Sequence, residues 1–425
     1  MQHIKTELKV DQVYLSYPYL VTFADEATNV YEIQSSSLQH VTSLSQTITG
    51  YIREGAIIID PSRDALIIVQ SNVFVFNLHD GQLQKTLTLF GTLTDAPILY
   101  DRGRVLVTLS DETDEDGEQK EDFWILSCNP FDLEPAGYSF LTQIRRPCTD
   151  KHMLYNHVLS SHEGGVVVGQ HTSFTNQPLK LHYWSPEGQP YDDSLPPAYT
   201  VDIPITLPEG NAIEARYAAS IDDDCFALCT VEAQLGVLDG PGVHQSVIRT
   251  LSLPSLDILW TAQAIDGQVN HVYHLRSEGI VLAIGTVSER NDSNGGDANN
   301  ATWIVALDVE HGERRQFTKF NHRNIGKELV RCSLTTSATE EGEVTVSDEP
   351  DIVFITSGGD VAKVSVSKFL EEGLPSDEFG ALEIAQSAGI QLKDVSRLTL
   401  SRRASISQQS VVVLDDGGVV SVFTW

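Results

Sequence analysis

The sequence is poor in positive charge. Its 425 residues include 28 lysines and arginines against 59 aspartates and glutamates, which gives a formal net charge of −31. Binding to a phosphate backbone needs patches of lysine and arginine that release counterions. The composition therefore argues against direct nucleic-acid binding. It permits a basic protein partner, and it equally favours simple high solubility.

Cysteine is scarce, with five residues in the chain. Cys225 and Cys229 lie in the segment CFALC, which is typical of a β-strand. Four residues along a strand span roughly 13 Å, too far for a disulfide or a shared metal ion. The odd, sparse set predicts reduced structural thiols and an intracellular protein, either cytoplasmic or nuclear.

Long apolar runs and catalytic motifs are also missing. No uncharged apolar segment reaches the length of a membrane-spanning helix, and the first ten residues hold no apolar signal core. The sequence contains no nucleophile elbow, zinc-protease helix, phosphate-binding loop or dinucleotide-binding fingerprint. We therefore expect no membrane association, no enzymatic activity, no cofactor and no metal.

What the sequence does contain is a recurring β-hairpin. In the stretch from Asn72 to Phe90, two segments rich in β-formers flank His79-Asp80-Gly81. Glycine after aspartate suits a tight turn because glycine accepts positive φ without steric cost. This stretch therefore predicts a hairpin, and similar stretches follow along the chain.

Eight apolar strands, each followed by a turn, are spaced roughly 40–70 residues apart, close to the repeat length of a β-propeller blade once loops are added. They start at Val30, Val73, Phe123, Leu179, Ser246, Trp303, Val361 and Val419. One or two strands precede each start, and another follows each turn, which gives four strands per unit. Convincing amphipathic helices are nearly absent, and the best candidate, Glu378 to Ala388, contains two glycines.

These units predict an all-β protein, a single propeller domain over residues 1–425. Eight blades is the first prediction and seven is the alternative. The last unit ends at Trp425 without a fourth strand, while His3 to Val10 forms a strand-like segment before the first unit. Pairing of the two would complete the last blade, close the ring and remove an exposed sheet edge.

The hairpins FNLHDGQLQKTL and VALDVEHGERRQFTKF resemble the last two strands of blades in the WD40 and quinoprotein-like β-propeller superfamilies. The likeness covers nearly the whole chain. No Trp-Asp pair ends a strand and no Gly-His pair opens a unit, so the repeats depart from those of typical WD40 proteins. The secretion signal and repeated tryptophan signature of quinone-dependent dehydrogenases are missing too. The resemblance implies a propeller that binds proteins.

Two features invite a search for metal or modification sites. Five histidines fall close together, and their spacing follows no ligand pattern, which favours hydrogen-bonded or solvent-facing side chains: His152, His157, His162, His171 and His182. Arg402-Arg403-Ala404-Ser405 resembles a target of basophilic kinases. Ser405 is therefore a candidate phosphorylation site if it lies in the first connection of the last unit.

Acidic residues are concentrated in two stretches. Asp111 to Asp122 holds eight acidic residues against one lysine, and Glu340 to Asp351 is the second stretch. The first does not match a calcium-binding loop, because Phe123 stands where a bidentate glutamate is needed. Within it we assign candidate partner-binding residues, with a solvated loop as the alternative: Asp111, Glu112, Asp114, Glu115, Asp116 and Glu118.

The connection between the second and third strands is predicted to be long in units three to six and short in the other four. The long ones are Ser110–Asp122, Thr172–Pro178, Val231–Gln245 and Glu289–Ala301. Propeller geometry places this connection on the same face in every blade, so four long loops would share one sector. Function commonly resides on such loops, although neutral insertion also costs little.

We therefore predict a non-catalytic, intracellular scaffold or adaptor, monomeric on its own, that binds a protein partner through the long-loop sector. Three rivals stay open: a small-ligand or enzymatic propeller using the central channel, an acidic chaperone of a basic client, and a substrate receptor of a ubiquitin ligase. Converging carboxylates, histidines or a metal at the channel mouth would favour the first of these.

Overall fold

A computed structural model of the chain describes residues 2–7, 10–24, 27–34, 37–46, 48, 52, 55–89, 91–93, 98–101, 103–111, 122–131, 138–145, 154–162, 165–172, 178–184, 197–204, 211–221, 224–234, 244–289, 299–321, 329–338, 344–346, 349–356, 361–374, 384–385, 404–406, 410–414 and 419–424. Within them the chain forms 36 β-strands and one α-helix. They fall into two compact units: unit 1 comprises Met1–Thr88 and Asn321–Trp425, and unit 2 comprises Leu89–Phe320.

Unit 1 contains four antiparallel sheets of four strands. Sheet 1 consists of β2 (Gln12–Ser16), β3 (Tyr19–Phe23), β4 (Thr28–Ile33) and β5 (Leu38–Ser43). Sheet 2 consists of β6 (Ile57–Asp60), β7 (Ala65–Val69), β8 (Asn72–Asn77) and β9 (Leu83–Thr88). Sheet 7 consists of β28 (Leu329–Leu334), β31 (Asp351–Thr356), β32 (Val361–Ser365) and β33 (Ile384–Ala385). Sheet 8 consists of β34 (Ala404–Ile406), β35 (Ser410–Leu414), β36 (Val419–Thr424) and β1 (Gln2–Glu7).

Unit 2 contains two sheets of four strands and two of five. Sheet 3 consists of β10 (Thr92–Leu93), β11 (Leu99–Asp101), β12 (Arg104–Asp111), β13 (Asp122–Cys128) and β14 (Tyr138–Arg145). Sheet 4 consists of β15 (Leu154–His162), β16 (Gly165–Thr172), β17 (Leu179–Trp184) and β18 (Tyr199–Ile203). Sheet 5 consists of β19 (Asn211–Ile221), β20 (Cys225–Gln234), β21 (His244–Ser252), β22 (Ile258–Thr261) and β23 (Ile265–Asp266). Sheet 6 consists of β24 (Gln268–Leu275), β25 (Ile280–Glu289), β26 (Asn299–Asp308) and β27 (Arg314–Asn321).

Every sheet follows the same plan, in which consecutive strands pair antiparallel. In sheet 3 the first strand is broken into β10 and β11, which both pair with β12, and in sheet 5 the fourth strand is broken into β22 and β23, which both pair with β21. Each of the eight strands marked in the sequence is the third strand of its sheet. The described part of the chain thus holds one four-stranded sheet for each predicted unit.

The N-terminal strand completes the last sheet. β1 pairs antiparallel with β36, with Gln2 opposite Thr424 and Glu7 opposite Val419. Ile4 packs against an apolar cluster that joins sheets 8 and 1, and the cluster includes Leu15, Leu20, Val412 and Val422. The predicted pairing of the N-terminal segment with the last sheet is therefore confirmed, and the paired strand is Gln2–Glu7 where the sequence predicted His3 to Val10.

Buried aliphatic side chains also join the neighbouring sheets of unit 2. One cluster joins sheets 3 and 4 through Leu106, Val166, Val168 and Trp184. A second joins sheets 4 and 5, and a third joins sheets 5 and 6. Full burial of one such side chain contributes about 1.5–3 kcal/mol, so these interfaces account for why the strands read as near-continuous apolar runs.

The predicted hairpin corners are built alike in sheets 2 and 6. The side-chain oxygen of Asn77 accepts hydrogen bonds of 3.0 and 2.9 Å from the N–H groups of the second and third residues after it. Asp308 accepts equivalent bonds of 2.9 and 3.1 Å. Gly81 and Gly312, each four residues on, donate their N–H groups back to the carbonyls of Asn77 and Asp308, both with positive φ.

One helix was not predicted from the sequence, which indicated a strand from Val361 followed by a turn. The strand ends at Ser365 and the helix Val366–Glu372 follows. Ser365 caps it by accepting a hydrogen bond of 3.2 Å from the N–H of Lys368, while Val366 and Phe369 are buried. Of the weak helix candidate Glu378 to Ala388, the two described residues, Ile384–Ala385, form strand β33 instead.

Candidate functional site

The long second-to-third-strand connections all belong to unit 2. They span residues 112–121, 173–178, 235–243 and 290–298 between the strand ends of sheets 3 to 6. In sheets 1, 2, 7 and 8 the corresponding connections are residues 24–27, 70–71, 357–360 and 415–418. The predicted contrast in loop length is confirmed. We call the strand ends from which the four long connections leave the loop end of unit 2.

Hydrogen bonds fix the loop ends of sheets 5 and 6 side by side. The N–H of Gly267, which precedes β24, donates to the carbonyl of His244, the first residue of β21, at 2.7 Å. Ser246 Oγ donates to the carbonyl of Gly267 at 3.0 Å. Gln245 Nε2 donates to Asp266 Oδ1 at 2.8 Å. The start of β21 and the start of β24 therefore share one side of the unit.

Trp303 fills the space beneath this junction. Its side chain is 1% exposed and belongs to the cluster between sheets 5 and 6. The ring lies directly on the backbone of Gly285, where a Cβ atom would come within 2.0 Å of Trp303 Cζ2. Only glycine allows this approach, so Trp303 packs closely against the strand that leads into the 290–298 connection.

A buried arginine links the loop ends of sheets 4 and 5. Arg249 and Glu232 have side chains 1% and 0% exposed, with Nη2 and Oε1 3.1 Å apart. Arg249 Nη1 also donates to Thr230 Oγ1 at 2.7 Å, and Nη2 donates to the carbonyl of Pro204 at 3.1 Å. Pro204 follows the last strand of sheet 4, so the guanidinium spans two sheets.

The contacts of this pair are those of a structural element. A buried charge is tolerated only when it is paired and hydrogen-bonded, and the contacts of Arg249 meet that condition. The arrangement therefore positions strand ends.

The candidate partner-binding residues flank and fill the first long connection. Asp111 is the last residue of β12 and pairs with Asp122, the first residue of β13. The other five lie outside the described residues: Glu112, Asp114, Glu115, Asp116 and Glu118. The structure thus locates the acidic stretch at the loop end of sheet 3.

The second acidic stretch has a different topological position. It includes β30 (Val344–Val346), which pairs with β29 (Thr336–Ala338) as a two-stranded hairpin between the first and second strands of sheet 7. Ser405 lies inside β34, opposite Val412, and not in a connection. Ser405 therefore does not lie in the first connection of the last unit, the position on which its candidacy as a phosphorylation site depended.

The histidine group is spread over three strands of sheet 4. His157 and His162 belong to β15, His171 belongs to β16, and His152 lies outside the described residues. His182, in β17, approaches Thr200 Oγ1 at 3.0 Å and Gln170 Oε1 at 3.3 Å through its two ring nitrogens. Burial, assisted by Lys180, lowers the pKa of His182, which favours the neutral imidazole.

One cluster with metal-ligand chemistry occurs among the described residues, and sequence reasoning missed it. Ligand atoms of Asp308, Glu310 and His311 lie within 4.8 Å of one another, on the hairpin at the opposite end of sheet 6 from the long connection. The Asp308 carboxylate is already used by the turn and by Arg315, whose Nη2 lies 2.6 Å from Oδ2. Burial works to raise the pKa of Asp308, but hydrogen bonds from the Glu310 backbone, Arg315 and His311 lower it overall.

Four cysteines are described, and all are free thiols: Cys128, Cys225, Cys229 and Cys332. Cys225 and Cys229 lie in β20, as predicted. Burial raises the pKa of Cys128 and of Cys229 to about 12, and burial also raises the pKa of Cys332. These three are protonated, unreactive core residues at neutral pH. Cys148 lies outside the described residues.

No helix in the described ranges combines the length and apolar character required to cross a membrane. No protein-family model matches the sequence, and no curated protein matches it significantly.

Solved structures do resemble the chain. The C-terminal WD40 domain of Sif2 aligns over 100% of this chain and 99% of its own, with 10% identity and a TM-score of 0.51. The Dos1 propeller aligns over 100% and 94%, with 12% identity and a TM-score of 0.46. BamB from Moraxella catarrhalis aligns over 100% and 97%, with 13% identity and a TM-score of 0.43. The Sif2 likeness shows the fold alone: the chain forms a β-propeller of four-stranded blades.

Proposed function

We propose that this chain is a non-catalytic protein-interaction propeller, acting as one domain over residues 1–425, and that it binds its partner at the loop end of unit 2. The observation that carries the proposal is the confinement of the four long connections to sheets 3 to 6. Loops held by a rigid scaffold are the usual place for recognition.

The base of these loops supports such a role. Arg249, paired with Glu232 inside sheet 5, reaches sheet 4 through its hydrogen bond to the Pro204 carbonyl, and the Gly267 hydrogen bonds with the packing of Trp303 join sheets 5 and 6. Strand ends held in this way present the loops from fixed positions, which reduces the entropy lost on binding. Loops that had been lengthened by neutral insertion would not need their strand ends to be fixed by such contacts.

The partner in this proposal is a basic protein. The chain carries a net charge of −31, and the first long connection is part of the strongly acidic stretch Asp111 to Asp122. A basic protein approaching this sector would be steered inward at low salt, and less so beyond a Debye length of about 8 Å at physiological salt. Free, buried thiols support a reducing compartment, the cytoplasm or nucleus.

The test compares two triple variants that remove the same charge. Asp114→Asn, Glu115→Gln and Asp116→Asn neutralise the first acidic stretch, whereas Glu340→Gln, Glu341→Gln and Glu343→Gln neutralise the second. A partner captured from native extract is then measured for its association and dissociation rates at two salt concentrations. Only the first variant should slow association and flatten its salt dependence, with the dissociation rate changing less.

Melting temperatures of both variants should stay close to the parent's, because the substitutions lie in connections. Equal association rates for parent and first variant at both salt concentrations would refute binding at this sector. Equal slowing by both triple variants would show that total charge, and not the loop end of unit 2, attracts the partner.

A further inference from the structure

The outer strand of sheet 6 is basic in an otherwise acidic protein. β27 is the last strand in the order β24-β25-β26-β27, so no other strand of the described chain pairs with its outer side. Arg314, Arg315 and Phe317 are exposed, and Lys319 is half-buried. Such a strand presents a row of main-chain donors and acceptors that another strand can use.

The backbone of Phe317 shows which groups face outward. Its N–H donates to Oε1 of the neighbouring Gln316 side chain at 3.2 Å. An N–H that points into a sheet is bonded to the adjacent strand, so this N–H is directed to the free edge. Because ladder groups alternate along a strand, the N–H groups of Arg315 and Lys319 share that direction. Gln316 thus occupies the donor that an added strand would need.

The side chains beside this donor suit a carboxylate next to an apolar group. The Arg314 guanidinium carbon lies 5.0 Å from the centre of the Phe317 ring. Arg315 is already paired with Asp308, whereas Arg314 makes no ion pair with any described residue. A guanidinium supported on an aromatic face still presents its fork of donors to a carboxylate.

We propose that the free edge of β27 binds an extended acidic segment of a partner protein as an added antiparallel or parallel strand. The segment's backbone accepts the Phe317 N–H in place of Gln316, one of its carboxylates binds Arg314, and an apolar side chain covers Phe317. Charge complementarity with Arg314 selects an acidic occupant at this edge. This surface is separate from the loop end of unit 2 and of opposite charge.

Charged residues on an edge strand can also serve only to prevent sheets from pairing with each other. The test must therefore distinguish addition of a strand to β27 from electrostatic attraction of an acidic peptide. The probe is a short fluorescein-labelled peptide in which glutamate alternates with valine, and its binding is measured by fluorescence anisotropy at physiological salt. Gln316→Ala removes the internal competitor without changing charge. We expect it to tighten binding about two- to tenfold.

Matched variants test the other two contacts. Arg314→Gln should weaken binding about tenfold or more, since it removes a charged hydrogen-bonding partner. Phe317→Ala removes the ring and keeps the N–H, whereas Phe317→Pro removes both, and proline is tolerated where an edge N–H faces solvent. Binding to the proline variant should be about two- to tenfold weaker than to the alanine variant.

Two results would overturn the proposal. One is the absence of measurable binding to the parent protein. The other is equal affinity of parent and Gln316→Ala together with equal affinity for a control peptide that carries a central proline, because electrostatic attraction alone then explains the binding. Phe317→Pro is not needed for either result, so a folding defect in that variant leaves the test intact.

Discussion

At the scale of single residues, Gly81 shows how much one position can specify. Its φ of +68° lies in the left-handed region. A Cβ atom there would come within 2.3 Å of the Ser43 carbonyl oxygen and within 2.8 Å of Thr42 Oγ1. Its own carbonyl accepts the N–H of Ser45 at 2.9 Å. Gly81 therefore serves both the turn of sheet 2 and its contact with sheet 1.

Gly81→Ala is expected to destabilise the protein by two separable terms. The left-handed backbone costs about 1–2 kcal/mol for a residue with a Cβ, and overpacking against Ser43 costs about a further 1–3 kcal/mol. Gly279 supplies the control, because its φ is +62° and a Cβ there would meet nothing within 4 Å. Gly279→Ala should therefore show the first term alone.

Urea denaturation of both variants measures the difference. If Gly81→Ala loses no more stability than Gly279→Ala, the close approach of the two sheets at this corner is wrong. The sequence could predict the turn at Gly81, since Asp80-Gly81 is a local signal. It could not predict the approach of Ser43, which lies 38 residues earlier and in another sheet.

At the scale of elements, the third strand of each sheet was the strand that the sequence identified in every unit. All eight marked segments are third strands because these strands are paired on both sides and read as continuous apolar runs. The helix Val366–Glu372 was missed since it continues a β-branched run directly. Its one local signal is the capping residue Ser365.

The Arg249–Glu232 pair was also beyond the sequence. Its two charges lie on different strands, and charged residues in a strand are ordinarily read as solvent-facing. An arginine within the apolar run SVIRTLSL is a hint that it has a buried partner, but it does not identify Glu232 or Pro204. Pairing across β20 and β21 depends on the register, which only the fold supplies.

We expect Arg249→Met to destabilise the protein by about 3–5 kcal/mol, because Glu232 would keep a buried charge without its partner. The double variant Arg249→Met with Glu232→Leu should recover most of that loss, since no buried charge is left. The free energy of unfolding is measured for the parent, Arg249→Met, Glu232→Leu and the double variant by thermal or urea unfolding, which gives a double-mutant cycle. Equal losses in the single and double variants would mean that packing around Arg249, not the ion pair, carries the effect.

At the scale of the whole molecule, sheet 8 is assembled from both ends of the chain. Three of its strands come from residues 404–424, and the fourth is β1. The sequence predicted this arrangement because the last unit lacked a fourth strand and the first residues offered one. The sequence could assign the candidate partner-binding residues to a connection between two strands, but it could not predict the conformation of that connection, because connections lack the periodicity of strands.

Deletion of residues 2–7 should lower the melting temperature and promote aggregation. It removes the hydrogen bonds between β1 and β36 and leaves the edge of β36 open. A synthetic peptide of the deleted strand, added in excess, should raise the melting temperature in a concentration-dependent way. A scrambled peptide of the same composition serves as the control.

A deletion variant as stable and as monomeric as the parent would contradict a structural role for β1. If the scrambled peptide raised the melting temperature equally, the effect of the added peptide would not depend on the residue-by-residue pairing of β1 with β36.

The position of β1 also has a consequence for biosynthesis. β1 is synthesised long before β36, its partner strand, because the other described strands lie between them in the sequence. Until β36 has been made, β1 therefore has no strand to pair with, and a chain that terminates before Val419 has no complete sheet 8. Unpaired strands are sites at which folding intermediates associate, so a ribosome that stalls before β36 leaves β1 exposed to such association.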